Sequence, residues 1–514
     1  MIQQFSLNSA TGRWVMLATI LASGTAFLMG TAVMVALPAI QSHYGTGMTG
    51  IQWVVNANLL SLAALLLIGG SLGDRFGRKR IFMAGIALFA AGAILAGLSG
   101  TIGSLIAFQA VQGAGAALMI PQSLAIISAC FAENERGRAI GLWAGFAGGV
   151  AALGPWVGGW VVETFSWQGV FFLTAPLSVL ALIVTSVFVP ESRNPDARRL
   201  DWRGTALIFL GLLGTAYGLI AGPAVGWSHP LVVAGLIGGP AAIILFILVE
   251  LRLPEPLVPL RIFRNPLIAG ANTVTFFLYF ALNGVILFLV LNLQQVQGFS
   301  PAQAGLGLLP PIVIITFFAG PAGALADRIG PRLPMVLGPA IVASGMALLA
   351  LGGTGADYFR QFMPGLVLFG MGMALVIAPL TKSALSVEPQ FSGAASGVNN
   401  ALSRIAALMA VAVLGAVVIS AFTARLEDTI GATNLSGEQR IEILSQSGKL
   451  GGIVIPETFD PSARKQAGDA VRKSFIHGFR RAMGVCAALA LAGAVVSYLT
   501  IHPQAPRRPD RPPP

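Results

Sequence analysis

Fourteen long apolar segments dominate this sequence and restrict its fold more than any other feature. Each approaches the roughly 20 residues that an α-helix needs to cross the hydrocarbon core of a bilayer. Only 10% of the 514 residues are charged, against about 25% in soluble domains, so the chain cannot cover itself with a water-soluble surface. The predicted membrane helices are 14–38, 51–72, 81–100, 102–128, 139–162, 169–189, 205–222, 231–250, 267–293, 303–325, 333–352, 362–380, 394–422 and 478–501.

The positive charges predict the orientation of these helices. The turn at 70–80, GSLGDRFGRKR, carries four cations after Asp74, and cations in short loops are retained on the cytoplasmic side. With an even number of helices, both termini lie on the side of this turn, and that side carries 20 of the 31 Lys and Arg residues. The other side holds Arg360 and nine cations of the long segment 424–481, while Arg404 lies inside a predicted helix. The net charge of +11 therefore reflects membrane topology, and nucleic-acid binding is not expected.

Three short motifs recur later in the chain at almost the same spacing, between 253 and 257 residues. One such match carries little weight, but three at nearly one spacing indicate two six-helix halves in parallel orientation. Two further predicted helices, 205–222 and 231–250, lie between these halves. The repeated pairs are 70–75 with 323–328, 113–121 with 370–379, and 138–141 with 394–397.

We therefore predict an all-α membrane protein with three parts and with both termini in the cytoplasm. Near its end, the third part has Val471, Phe475 and Phe479 at a spacing of four, which predicts an amphipathic helix leading into the last span. The parts are the N-terminal half at 1–190, a linker with two inserted helices at 191–265, and the C-terminal half at 266–514 with an extracytoplasmic loop at about 425–477.

These motifs resemble those of the major facilitator superfamily and, within it, of the fourteen-span drug:proton antiporters, over nearly the whole chain. Residues 70–80 match the superfamily's loop signature at every position, and the sequence GPWVGG at 154–159 resembles the antiporter signature of span five. The resemblance implies the major facilitator fold and a secondary transporter whose two halves expose a central site to alternate sides of the membrane.

The resemblance also implies roles for individual residues. The loop signature would brace the two halves and gate their movement, and the span-five glycines and proline would permit close packing and bending. The alternatives are that the loop cations serve topology alone and that the glycines serve ordinary packing. The implied gating residues are Gly70, Gly73, Asp74, Arg75, Gly77, Arg78, Asp327 and Arg328, and the implied span-five residues are Gly154, Pro155, Gly158 and Gly159.

The membrane-embedded charges of the resembled family are missing from this chain. Met29 stands where that family has an aspartate in span one, Met34 where it has an asparagine, and Gln109 where it has an arginine. All twenty acidic residues fall in loops or at the ends of predicted helices, and Glu163 and Glu250 come nearest to the membrane. Proton-coupled transporters generally carry the proton on an ionisable group within the membrane, so that role is unassigned here.

The candidates for a substrate cavity are polar residues and methionines of the predicted helices. Amides are costly in hydrocarbon and should face protein or water, where they act either as ligands or as links between helices. Methionine suits promiscuous sites but also fills cores, and Arg404 either faces the cavity or extends to the surface. The predicted cavity residues are Met29, Thr31, Met34, Asn56, Asn58, Gln109, Gln112, Tyr279, Asn283, Asn399 and Arg404.

The sequence thus predicts a monomeric exporter of lipophilic small molecules in the bacterial cytoplasmic membrane, with substrate and membrane lipid as its partners. It contains no phosphate-binding loop and no His/Cys cluster with metal-ligand spacing, so we expect no enzyme activity, cofactor or metal. Two alternatives stay open. One is proton-independent export of neutral or anionic metabolites, since a membrane potential favours the exit of an anion by about 2.3 kcal/mol per charge and 100 mV. The other is a non-transporting membrane scaffold or sensor.

Overall fold

A computed structural model describes residues 5–193, 201–253, 256, 258–387 and 392–501, and these residues form sixteen α-helices. Parts of the connections that we assigned to the cytoplasmic side, at 194–200, 254–255 and 388–391, and the tail at 502–514, lie outside the described residues. The helices are α1 Ala10–Tyr44, α2 Met48–Phe76, α3 Arg78–Gly97, α4 Ile102–Cys130, α5 Glu133–Thr164, α6 Trp167–Phe188, α7 Trp202–Val225, α8 Pro230–Glu250, α9 Pro266–Leu291, α10 Pro301–Gly307, α11 Leu309–Ile329, α12 Arg332–Leu349, α13 Met363–Ala384, α14 Ser392–Gly431, α15 Gly437–Ser445 and α16 Pro461–Thr500.

The described residues contain fourteen spans that are long and apolar enough to cross a membrane, which confirms the predicted all-α membrane fold. The tenth span consists of α10 and α11 together, and the other short helix, α15, is not a span. Two single-turn π-helices, Asn292–Val296 and Tyr358–Phe362, extend the spans of α9 and α13 on one side of the molecule.

The segment at about 425–477, predicted as a loop, is largely helical. Helix α14 continues to Gly431, and α16 begins at Pro461, well before the apolar part of the last span. Asp460 starts α16 as its N-cap, and the hydrogen bond from the amide of Ala463 lowers the pKa of this carboxyl group. The predicted amphipathic approach is confirmed, since Phe475 and its neighbours at the same spacing are buried in α16. Hydropathy marks where the membrane ends, whereas backbone hydrogen bonding lets a helix continue into water.

The helices pack in two groups with a separate hairpin. Helices α1–α6 contact one another, as do α9, α11–α14 and α16, while α7 and α8 pair with each other. Helix α7 also contacts one helix of each group, α2 and α14, through a small apolar cluster around Ala216. The inserted hairpin therefore covers one line of contact between the two halves.

The two halves meet at one end of the molecule and separate towards the other. We call the end with the 70–80 turn the corner side and the other end, with the connection from α14 to α16, the loop side. Every hydrogen bond between the halves of the described chain lies towards the loop side. Towards the corner side, a Cβ atom added at Gly141, Gly145 or Gly148 of α5 would meet no atom within 4 Å. The hydrogen bonds thus close the loop side, and their absence between the described halves on the other side, together with these uncovered glycines, indicates an opening on the corner side.

Candidate functional site

The turn between α2 and α3 is tight because its chain direction changes at a single glycine. Gly77 has φ 111°, which favours glycine, and an added Cβ would lie 2.8 Å from the carboxylate of Glu191. Arg78 donates two hydrogen bonds to one oxygen of Asp74, at 2.9 and 2.7 Å. Arg75 is exposed, with its guanidinium 5.6 Å from the ring centre of Phe76.

Glu191, which follows the end of α6, is a further residue of this turn that sequence reasoning missed. Its carboxylate accepts the backbone amides of Lys79 at 3.0 Å and Arg80 at 3.3 Å, and lies 3.7 Å from the Arg80 side chain. The amide of Arg78 also bonds the carbonyl of Ser192 at 2.7 Å. The sequence did contain a signal for this role. Glu191 is an acidic residue just beyond span six, on the same side of the membrane as the four cations of the 70–80 turn.

The remaining glycines of the turn allow α2 and α4 to approach closely. An added Cβ at Gly73 would lie 2.0 Å from the side chain of Gln122, and one at Gly70 would lie 3.8 Å from Pro121. Gln122 donates to the carbonyl of Gly69 at 2.8 Å. The loop signature therefore fixes the turn to its own half of the protein.

The related turn between α11 and α12 is held by a different contact. Asp327 pairs with Lys382 at the end of α13, both being exposed, and Arg328 is exposed as well. Gly330 has φ 86° and reverses the chain. In this state each turn is tied within its own half, and none of the described hydrogen bonds joins Asp74 or Arg78 to the other half, so their gating role stays a prediction.

The span-five motif lies where three helices meet. Added Cβ atoms at Gly154 and Gly158 would collide with Thr31 and Ala32 of α1, at 1.9 and 2.8 Å. An added Cβ at Gly159 would instead lie 2.3 Å from the carbonyl oxygen of Pro301 in α10, which belongs to the other half.

The contact with α10 is reciprocal. An added Cβ at Gly305 of α10 would lie 2.1 Å from the carbonyl oxygen of Pro155. At the rim of this contact, the exposed carboxylate of Glu163 accepts the hydroxyl of Ser300 at 2.8 Å and the amide of Ala302 at 3.3 Å. The motif thus joins α5 to α1 within one half and closes the loop side against the other.

A second line of contact between the halves joins α2 to α14. Gln52 is fully buried and donates to the carbonyl of Val411 at 2.7 Å. Gly415 leaves the room for this amide, since an added Cβ would lie 1.9 Å from its nitrogen.

The connection from α14 to α16 also reaches the closed end. Gln41 of α1 donates to the carbonyl of Lys449 at 3.1 Å and accepts from Gln295 at 2.7 Å. Leu450, next in the chain, is buried with φ 55°, a conformation that a residue with a side chain rarely adopts. This segment therefore covers the junction between the halves.

The predicted polar residues of the N-terminal half include buried amides without protein partners. Both side-chain polar atoms of Asn56 and of Gln112, and the oxygen of Gln109, lack a hydrogen bond. Asn58 donates to the carbonyl of Gln109 at 3.4 Å and so links α2 to α4. Since buried polar atoms are rarely left unsatisfied, the unbonded atoms are the best candidates for binding a ligand or water.

The predicted residues of the C-terminal half have mixed roles. Asn399 donates to Asn272 at 3.1 Å and to Thr275 at 2.9 Å, so it links α14 to α9. Asn283 donates to the carbonyl of Tyr279 in its own helix. These amides serve helix packing in this state.

The predicted residues of α1 are mostly buried. Met29 and Met34 are 2% and 5% exposed, and Thr31 donates to the carbonyl of Ala151 in α5 at 2.9 Å. Between them, Gly30 is exposed and an added Cβ there would meet nothing within 4 Å. The open space therefore reaches α1 beside the two methionines.

Arg404 of α14 is half-buried, and its guanidinium lies 5.6 Å from the ring centre of Phe27 in α1. It therefore contacts the opposite half at the level where the halves begin to separate. Among the described residues it has no ion pair, so this site presents a positive charge without a carboxylate.

Comparisons with known proteins agree on one family. The family model of the Major Facilitator Superfamily matches residues 19–411. Multidrug resistance protein Stp of Mycobacterium tuberculosis is 33% identical over 92% of this chain and 89% of its own length. The tetracenomycin C resistance and export protein of Streptomyces glaucescens is 31% identical over 92% and 88%. Among solved structures, a bacterial homologue of the human lysosomal transporter Spinster, in an inward-facing and unoccupied conformation, is 16% identical with a TM-score of 0.66, over 97% of this chain and 100% of that one.

Proposed function

This chain belongs to the Major Facilitator Superfamily, and we propose that its corner-side opening takes up lipophilic small molecules for drug efflux by alternating access. It is a drug efflux transporter of the bacterial cytoplasmic membrane, and its homologues are named as multidrug and antibiotic resistance proteins. The proposal assigns the corner side to the cytoplasm, because most Lys and Arg residues flank the spans there. The proposal involves no enzymatic step and no cofactor. It takes the protein to be a monomer.

One observation supports the mechanism most directly. All hydrogen bonds between the described parts of the two halves lie towards the loop side, and α5 has unfilled space along its corner-side glycines. This is the geometry of one of the two states that alternating access requires. The second state follows when the contacts of Gln52 and Gly159 separate and the halves approach each other on the corner side.

Arg404 favours a second candidate, namely proton-independent export of anionic or neutral compounds. Its guanidinium lies against Phe27 of the opposite half, and no described acidic residue pairs with it. A cation in a water-excluded site interacts strongly with an anion, and a negative cell interior favours the exit of that anion. Proton antiport remains the first candidate because of the resemblance to drug:proton antiporters, although its proton carrier is unassigned.

Transport by the purified protein in vesicles distinguishes these candidates. We would measure counterflow and net efflux of three fluorescent lipophiles, one cationic, one neutral and one anionic, with pH and membrane potential imposed separately. Proton antiport predicts that a pH difference drives efflux and that substrate moves protons. Anion export predicts flux that follows the potential at constant pH and that falls in Arg404→Gln. Absence of counterflow for all three probes would contradict transport and favour a membrane scaffold.

Met29→Asp provides a second test of proton coupling. The variant places a carboxyl group at a buried position of α1 beside the open space, where desolvation raises the pKa of a carboxyl group. We expect efflux to become more dependent on pH above about 4, the ordinary pKa of aspartate, with Met29→Asn as the uncharged control. An unchanged pH profile in Met29→Asp would contradict the assignment of this position to the cavity.

A further inference from the structure

A cavity of about 290 Å³ lies on the loop side of the C-terminal half, at the end opposite the corner-side opening. It is bordered by α14, α16 and the connection between α12 and α13. Arg425, Lys473, His477 and Arg480 line it, together with Thr354 and its neighbouring glycine. Three cations and a histidine thus surround one small space.

The cations of this cavity have no acidic partners among the described residues. Lys473, His477 and Arg480 recur at the spacing of one face of α16, and Arg425 approaches from α14. The ion pairs of the described chain include none of these four residues. Like charges gathered around an empty space repel one another, so an anion there would stabilise the arrangement.

Two acidic residues of α14 lie nearby in sequence but do not provide this anion. Glu427 and Asp428 lie two and three residues after Arg425, yet neither lines the cavity or forms an ion pair with one of its cations. By contrast, Arg472 of α16, one residue before Lys473, pairs with Asp469 at 2.8 Å. On α16, Arg472 is thus neutralised by Asp469, whereas Lys473 and Arg480, which line the cavity, have no ion pair.

The cavity lies at the expected boundary between the membrane and water. The long apolar part of α16 begins just beyond Arg480 and continues to Thr500. On either side of Thr354, Leu351 and Phe359 are 72% and 71% exposed. Exposed apolar side chains at this level are typical of residues that anchor a protein in the interface of a bilayer.

We propose that this cavity binds the phosphate group of an anionic phospholipid in the leaflet on the loop side, with phosphatidylglycerol as the model ligand. Arg and Lys form charge-assisted hydrogen bonds with phosphate oxygens, and the exposed Leu351 and Phe359 contact the acyl chains. A phospholipid fits the apolar rim, which a free phosphate ion leaves in water. The proposal also explains why this side of the protein carries a cationic cluster although its short loops are nearly free of cations.

All lining residues belong to the C-terminal half, so the site does not depend on contact between the halves. The bound lipid therefore accompanies this half through the transport cycle, and binding is expected in both states. This inference is independent of the proposed efflux function and concerns the attachment of the protein to lipid.

Native mass spectrometry of the purified full-length protein tests the proposal. Phosphatidylglycerol, phosphatidylcholine and inorganic phosphate would be titrated separately, and the fraction of protein carrying each would be measured. We expect selective binding of one phosphatidylglycerol, and at least about a tenfold weaker affinity in the Lys473→Gln/Arg480→Gln variant, since each lost bond is to a charged group. Both side chains are exposed, so the variant should fold, and its elution as a single species would verify this.

Arg472→Gln is the control, because it removes a positive charge from the position of α16 next to Lys473 but outside the cavity. It should keep the affinity of the unmodified protein for phosphatidylglycerol. Equal losses in this control and in the double variant would contradict a defined site. Binding of inorganic phosphate with competition against phosphatidylglycerol would assign the cavity to a free anion and overturn the lipid proposal, as would equal binding of phosphatidylcholine.

Discussion

The two lines of contact that close the loop side are built differently. Between α2 and α14, the side chain of Gln52 reaches across to the carbonyl of Val411 in a space left by Gly415. Between α5 and α10, Gly159 and Gly305 bring two backbones together, and the described side-chain hydrogen bonds lie at the exposed rim. Helix α7 covers the first contact, whereas none of the described helices inserted between the halves covers the second.

This difference indicates which kind of change each contact tolerates. A contact between backbones has no side chain that can move aside, so any added atom must displace a helix. A contact made by a flexible amide can adjust by changing a rotamer, at the cost of its hydrogen bond. The glycine contact should therefore be the more sensitive to substitution, and three experiments order the effects from largest to smallest.

The largest effect is expected for Gly159→Ala. The added methyl group would lie 2.3 Å from the carbonyl oxygen of Pro301, and overpacking of this kind typically costs about 1–3 kcal/mol. The closed loop side should be disfavoured roughly 5- to 150-fold, with slower efflux. The measurement is the efflux rate together with labelling of Ala302→Cys by a membrane-impermeant maleimide, which should increase.

Gly238→Ala is the control for this substitution, because an added Cβ there meets nothing within 4 Å and Gly238 lies in α8, outside the two halves. Its efflux and its labelling should match those of the unmodified protein. If Gly159→Ala also behaves like the unmodified protein, the backbone contact does not determine closure.

An intermediate effect is expected at Gln52. Gln52→Ala removes one buried hydrogen bond, which is worth about 0.5–1.5 kcal/mol, and should slow efflux by up to about tenfold. Gly415→Ala forces the amide of Gln52 away, since the added Cβ would lie 1.9 Å from its nitrogen.

The double variant Gln52→Ala/Gly415→Ala separates the two causes. It removes the collision between the added Cβ of residue 415 and the amide of Gln52. Its efflux rate, relative to the unmodified protein, should therefore exceed the product of the relative rates of the two single variants. Efflux would be measured at equal expression. A double-variant rate equal to the product of the two single effects, that is, effects that add in free energy, would show that the two residues do not act through their contact.

The smallest effect is expected at the rim. Glu163 is exposed, and exposed polar contacts contribute about 0–1 kcal/mol, so Glu163→Ala should slow efflux by less than about fivefold. Glu163→Gln keeps an oxygen that can accept the hydroxyl of Ser300 and should be nearly neutral. A loss comparable to that of Gly159→Ala would mean that the rim, rather than the backbone contact, holds the halves together.

The sequence was sufficient for the spans because hydropathy depends on local composition. It also located GPWVGG, but it could not show that Gly154 and Gly158 face α1 while Gly159 faces α10, since this division depends on how three helices cross. Asn399 illustrates the same limit. An amide in a span can bind a ligand or another helix, and only the positions of Asn272 and Thr275 show that it links α14 to α9.

The length of α16 has a mechanical consequence. At 1.5 Å per residue, its 40 residues extend about 60 Å, twice the thickness of the hydrocarbon core, which is about 30 Å. The part beyond the membrane therefore works as a lever arm of about 30 Å that is continuous with the C-terminal half. A rotation of that half by about 10° would sweep its tip through about 5 Å. A spectroscopic label near Lys465 would thus magnify the rocking of the protein, and would report the transport cycle from the water phase.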